Sequence, residues 1–205
     1  MQEKPKKPDA RIKLLESALT LIRTKGYSGT TVDELCAHAG VTKGAFFHHF
    51  KSKEALGVAA ANYWSETTAQ LFAGAPYHDH ADPLDRVLAY IDLRTEILQG
   101  EVEEFTCLVG TMVQETFHST PAIREACDAS ISGHAATLVA DIAEAMEKYG
   151  VKADWTAESL ALHTQAVLQG SFILSKAKDG PQAGRDSVAH LRRYVELLFR
   201  GKHTS

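Results

Sequence analysis

Apolar residues recur along this chain every three to four positions and nowhere alternate with period two, which predicts helices throughout and no sheet. Ile12, Leu15, Leu19 and Ile22 mark the apolar face of a first helix that Gly26 stops. A short second helix starts at Thr31, where the hydroxyl of Thr31 and the carboxylate of Glu34 have capping-box spacing, and it ends near Gly40. A third begins at Thr42 and reaches about Phe50. Ser52 caps a long fourth helix with Glu54 in its positive first turn, and Ala55, Leu56, Ala59, Tyr63 and Leu71 line one side of it. The run from Gly74 to His80 is a break. Asp82-Pro83 and Thr120-Pro121 each pair a capping residue with a proline in the first turn, and Thr156 with Glu158 is a weaker start. A last break falls at Lys178-Asp179-Gly180-Pro181, so further helices are predicted near 84–99, 103–117, 121–148, 156–177 and 185–200. The expected fold is all-α, with about nine helices. It comprises a flexible basic tail over residues 1–8, a three-helix head over 9–55, a connecting helix over about 52–73, and a larger helical body over 56–205.

The chain has 205 residues, 44% of them hydrophobic and 23% charged, ordinary values for a globular protein in water. No run of about 18 apolar residues occurs, so no membrane partner is expected. The polar start through Arg11 lacks the apolar stretch of a secretory signal. Cys36, Cys107 and Cys127 are few, odd in number and far apart, which fits a reducing cytoplasm rather than a disulfide framework or a thiolate zinc site. Charge is uneven: residues 1–55 carry ten Lys and Arg against six acids, while the chain as a whole is at -4. A basic head on an acidic body points to a polyanion met by the head, although a solvated basic surface would show the same balance.

The stretch from Thr31 to Phe50 carries the chemistry. Two short helices are joined through Gly40, which can adopt the left-handed turn that lets the second cross the first steeply. Cys36, small and apolar, suits the close contact between them. At about 100° per residue, Phe46 and Phe50 share one face of the third helix with His49 at its margin, and Gly44, Phe47 and His48 point the other way. An outward phenylalanine beside histidines suits a helix that enters a DNA groove. Gly44 lets the backbone approach the duplex, Lys43 reaches a phosphate or guanine edge, and Ala45 meets a thymine methyl. Thr31 and Thr42 sit at helix N-termini whose free amides favour phosphate, and Lys53 and Ser52 open the next helix in the same way.

The run Gly40-Val41-Thr42-Lys43-Gly44-Ala45-Phe46-Phe47-His48-His49-Phe50-Lys51-Ser52-Lys53-Glu54 resembles the signature of the TetR family of transcriptional regulators, and Gly26-Tyr27 and Thr30-Thr31-Val32 match upstream. The resemblance covers about residues 10–57; the body matches in helix pattern and length. It implies DNA contact by Thr31, Thr42, Lys43, Ala45, Phe47, His48, His49 and Lys53. Where relatives often have Tyr-Tyr-His this chain has Phe47-His48-His49, so the contact of Phe47 is apolar and the polar role passes to His48. The implied function is a homodimeric repressor that holds palindromic double-stranded operator DNA and leaves it when a small molecule enters the body. An activator would carry the same head.

In the body, Leu160, His163, Val167, Gly170 and Leu174, with Val188, Leu191, Val195 and Leu198, form apolar stripes on the last two helices. In the family resembled, these helices build a four-helix bundle across the two-fold axis, so they are the expected dimer interface, and they also serve the intrachain core. Cys107, Gly110, Thr111, Gln114 and His118 form a mixed stripe of small and polar side chains. With Arg94, Thr95, His134 and Leu138 on neighbouring helices, that stripe is the expected effector pocket. Certain relatives sense electrophiles through a cysteine at the start of this helix, which makes Cys107 a candidate redox sensor, although Glu101, Glu103 and Glu104 just upstream oppose a thiolate. Ten histidines raise a metal-enzyme alternative, but Glu115-x-x-His118 has no second copy and no phosphate- or dinucleotide-binding glycine run occurs. No metal, cofactor or catalytic residue is therefore expected.

Overall fold

The computed structural model describes residues 9–200, so the expected basic tail lies outside the described residues. Among these are eleven α-helices, a short 3-10 turn at Pro76–Asp79, and no strand. The helices are α1 (Ala10–Lys25), α2 (Val32–Ala39), α3 (Lys43–His49), α4 (Lys53–Ala73), α5 (Pro83–Glu96), α6 (Val102–Phe105), α7 (Leu108–Thr116), α8 (Pro121–Ala136), α9 (Val139–Lys148), α10 (Ala157–Lys178) and α11 (Gln182–Arg200). Backbone proximity divides them into two compact units. Among the described residues, one holds those up to Glu66 together with Leu108–Cys127, and the other holds Thr67–Cys107 and those from Asp128 to Arg200. The division falls within α4 and α8, and α7 belongs with the head.

In the first unit α1, α2 and α3 pack on one another and α7 packs on α1. The buried face of α1 is Leu14, Leu15, Ser17, Ala18 and Ile22, while Ile12 and Leu19 of the predicted stripe are only half-buried. With neighbours on more than one side, a wider face of α1 is covered than a single stripe can supply. Thr31 closes the predicted capping box: its Oγ1 accepts from the Glu34 amide at 3.2 Å, and its own amide donates to the Glu34 carboxylate at 2.9 Å. Gly40 ends α2 at φ 63 and ψ 38, and the Val41 amide returns to the Cys36 carbonyl at 3.0 Å. This left-handed cap aims α3 across α2 at no side-chain cost. Cys36 is buried there, as its size predicts.

In the second unit α5 and α10 pack against both α9 and α11, around Val87, Tyr90, Ile91, Ile142, Leu168, Val188 and Val195. Ion pairs tie the helices at their rims: Arg86 to Asp141 at 2.7 Å and to Glu144, Arg192 to Asp92 at 2.7 Å and to Glu196. Two predicted helices are broken. The span 103–117 divides at Thr106 and Cys107 because α6 closes on itself, the Glu104 carboxylate returning to the Glu101 amide at 2.9 Å, and buried Thr106 is extended. The span 121–148 divides at Thr137 and Leu138, where the Thr137 hydroxyl donates to the His134 carbonyl at 2.7 Å and competes with the helical ladder. Thr156 does cap α10, but its box partner is Ser159 rather than Glu158.

Candidate functional site

Helix α3 presents two unlike faces. Phe46 is 0% exposed and Phe50 4%, both seated in the head, whereas Phe47 is 54% exposed and is held edge-on to Phe46 at 5.1 Å. Lys43, Gly44 and His48 share the open side; Ala45 and His49 are half-buried at its margins. Thr42 caps the helix, its Oγ1 accepting from the Ala45 amide at 3.1 Å. A methyl group placed on Gly44 would meet only the Thr42 hydroxyl, at 3.7 Å, so the backbone there is bare to an approaching surface. The outward set expected from the helical wheel is thus brought together on one face.

Other expected contacts have local partners. Lys43 Nζ lies 2.7 Å from the Asp33 carboxylate, and that bond raises its pKa. Lys53 is half-buried, with its ammonium 4.4 Å from the centre of the Tyr27 ring and 3.4 Å from the Ser28 carbonyl, and burial pushes its pKa down. His49 Nε2 is 3.8 Å from the Asp9 carboxylate. Thr31 is exposed, but its hydroxyl is committed to Glu34, which also pairs with Lys25. Ser52 caps α4, accepting from the Ala55 amide at 3.1 Å.

One residue with a part in this unit escaped the sequence reading. Glu115 of α7 accepts from the Tyr27 amide at 3.0 Å and the Ser28 amide at 2.7 Å, in the turn between α1 and α2. A side chain on Gly26, which has φ +86, would lie 2.4 Å from that carboxylate. Position alone had paired Glu115 with His118 as a metal motif. The signal available was the bare turn at Gly26, and nothing in the chain between says which acid reaches it. Among the described residues no group of three His, Cys, Asp or Glu side chains is placed to hold a metal ion.

The residues expected to line a pocket are shared between the two units. Gly110, Thr111, Gln114 and His118 belong to the first unit; Arg94, Thr95, Cys107, His134 and Leu138 belong to the second. Gln114 is exposed and donates to the Gly110 carbonyl one turn back at 2.7 Å, and His118 is exposed beyond the end of α7. Cys107 is half-buried in the break before α7. Thr95 donates to the Ile91 carbonyl at 3.2 Å, and Leu138 is buried in the core. Arg94 and His134 do converge. Tyr90, fully buried between them, has its hydroxyl 2.9 Å from His134 Nε2 and 3.3 Å from Gln165 Nε2. The Arg94 guanidinium lies 5.0 Å from the Phe72 ring centre and 5.7 Å from that of Phe172. Burial, and then the charge of Arg94, push the His134 imidazole from 6.5 down to about 4.

A pH dependence follows from this depressed histidine. The unfolded chain takes up the proton near 6.5, the folded chain only near 4, so the contribution is intact above 6.5 and is lost as pH falls between the two values. Urea unfolding of the wild-type chain and of His134→Gln should diverge across that window by about 3 kcal/mol. Parallel stability curves would show that the imidazole titrates as in water.

The residues expected at a dimer interface also divide. Leu160, Leu191 and Val195 are 4%, 3% and 0% exposed within the core of this chain, where α10 packs on α9 and α11 and α11 packs on α10 and α5. Val167, Gly170 and Leu198 are half-buried, and His163 is exposed with its ring 5.3 Å from that of Tyr194. The large apolar groups left open on α10 and α11 are Leu162, Ile173, Leu174, Tyr194 and Leu197.

Residues 14–60 match the model described as bacterial regulatory proteins of the tetR family, and residues 83–183 match the C-terminal domain of LmrA/YxaF-like transcriptional regulators. The chain is 26% identical over 194 residues to the HTH-type transcriptional repressor NemR of Escherichia coli K12, covering 91% of this chain and 94% of that one. It is 32% identical over 111 residues to the transcriptional regulator AcuR of Cereibacter sphaeroides, which is 53% of this chain and about half, 51%, of AcuR. The match to the regulator YerO of Bacillus subtilis spans 18% of that protein. A crystal structure of a regulatory protein TetR from Rhodobacter sphaeroides has the same fold, with a TM-score of 0.80 over 91% of this chain and 99% of that one at 24% identity.

Proposed function

The chain belongs to the TetR family of bacterial regulatory proteins, and on that premise we propose that it is a dimeric repressor whose α3 enters the major groove of operator DNA. The observation that carries this reading is the outward face of α3, where the exposed Phe47 ring and the bare backbone of Gly44 stand beside Lys43. Each of these would gain from a duplex: an apolar ring against thymine methyls, close backbone approach, and a cation for phosphate or guanine.

One head contacts too few base pairs to hold a site by itself. Two heads about 34–36 Å apart reach successive major-groove faces and read a near-palindrome. The exposed side chains of α10 and α11, Leu162, Ile173, Leu174, Tyr194 and Leu197, supply the apolar surface a second copy would cover. Release is a matter of differential affinity. A small molecule bound in the body favours a state in which α4, which continues from the head into the body, no longer holds the heads at that spacing.

The direct experiment selects duplexes from random DNA with the purified chain and measures affinity against salt. Lys43→Ala should weaken binding to the selected site and reduce the slope of log K against log salt by about one. The effect is modest because Lys43 must exchange its Asp33 partner for phosphate. An unchanged slope would take Lys43 off the contact surface.

A further inference from the structure

Three arginines of the second unit find acceptors. Arg86 pairs with Asp141 and Glu144, Arg192 with Asp92 and Glu196, and Arg185 donates to the Leu98 carbonyl at 2.7 Å. Arg94 differs. No carboxylate of the described residues pairs with it, its Nε is enclosed without any hydrogen-bond partner, and aromatic rings are its neighbours. Arg94 is half-buried, and the unmet hydrogen bond of its enclosed Nε is a cost that a bound anion would offset.

Its surroundings suit an anion of one kind. A carboxylate matches the guanidinium fork with two parallel hydrogen bonds, and the buried rings of Phe72 and Phe172 make the surroundings of the cation apolar. The hydrogen bonds of Tyr90 supply a further donor. Gln165 donates to the Tyr90 oxygen, and the Tyr90 hydroxyl shares a hydrogen bond with His134 Nε2. The imidazole, neutral near pH 7, brings one N–H donor of its own.

We infer that Arg94, with His134 and Tyr90 beside it, is the anion subsite for an organic carboxylate whose apolar body lies against Phe72 and Phe172. This rests on the proposal that the body binds a small-molecule effector, and it assigns the chemical class. The carboxylate head is recognised by charge and the body by its rings, so an ester or amide of the same shape is rejected.

The test titrates the full-length chain with benzoate, phenylacetate and octanoate, and with the corresponding amides, by calorimetry and thermal shift. The acids should bind and the amides should not. Arg94→Gln should weaken the best acid roughly 10- to 100-fold, the loss of a charge-assisted bidentate contact. Arg94→Lys, which keeps the charge and loses the fork, should fall between the two and gives the reading if Arg94→Gln does not fold. Equal binding of acid and amide, equal affinity in Arg94→Gln, or no binding by any of the three acids overturns the subsite. Release from the selected operator is measured separately. An acid that binds through Arg94 without releasing DNA contradicts the effector proposal and leaves the subsite standing.

Discussion

Gly44→Glu should leave the protein folded and remove operator binding, weakening it by two to three orders of magnitude. The position is open on the protein side, since a side chain there would meet only the Thr42 hydroxyl at 3.7 Å. It lies in the first turn of α3, directly after Lys43, where a carboxylate favours the helix. Replacing glycine inside a helix also removes unfolded-state entropy. Both effects predict an unchanged or higher melting temperature. On the DNA side the same carboxylate would fill the space through which the backbone approaches and would face phosphate. Like charges juxtaposed at an interface cost several kcal/mol, which is roughly 100- to 1000-fold in affinity. The two signs are opposite, so electrophoretic mobility shift and thermal unfolding on one preparation separate them. A variant that melts early would place Gly44 inside the fold, and one that binds as well as wild type would place it outside the interface.

Phe46→Ala should lower stability by about 3–5 kcal/mol, the usual loss for a buried aromatic ring. Phe46 is 0% exposed, with Phe47 edge-on at 5.1 Å and Phe50 at 5.9 Å, and it is what seats α3 in the head. Its neighbour Phe47 makes the control. That ring is 54% exposed, so Phe47→Ala should cost little stability and act chiefly on DNA. Urea denaturation of the two variants reads the contrast, and similar losses in both would mean that α3 is rotated from the orientation described.

Helix existence was largely legible in the sequence, because capping chemistry is local. Thr31 with Glu34, Thr42, Ser52 and Asp82 all cap as their spacing implies, through bonds spanning two or three residues. The outward face of α3 was legible for the same reason, since seven residues at a fixed pitch sort themselves into two sides. What escaped depends on partners distant in the chain. The break at Thr106 and Cys107 follows from a self-closing turn at α6, which reads as continuous helix by pattern alone. The convergence of Arg94, His134, Tyr90 and Gln165 requires three helices to meet, and Gln165 carried no pattern that would mark it. The α10 and α11 stripes mix two duties that periodicity cannot divide. Leu160 and Val195 face inward while Leu162 and Leu197 face out, and only packing decides between them.

The most direct measurement is the stoichiometry of the purified chain on its selected duplex, by sedimentation at low and physiological salt. Two copies per near-palindromic site, with half-sites about one helical turn apart and affinity falling steeply with salt, is the expected result. A monomer that binds no duplex above random DNA, even at low ionic strength, would contradict the central claim that α3 is a groove-reading helix working in pairs.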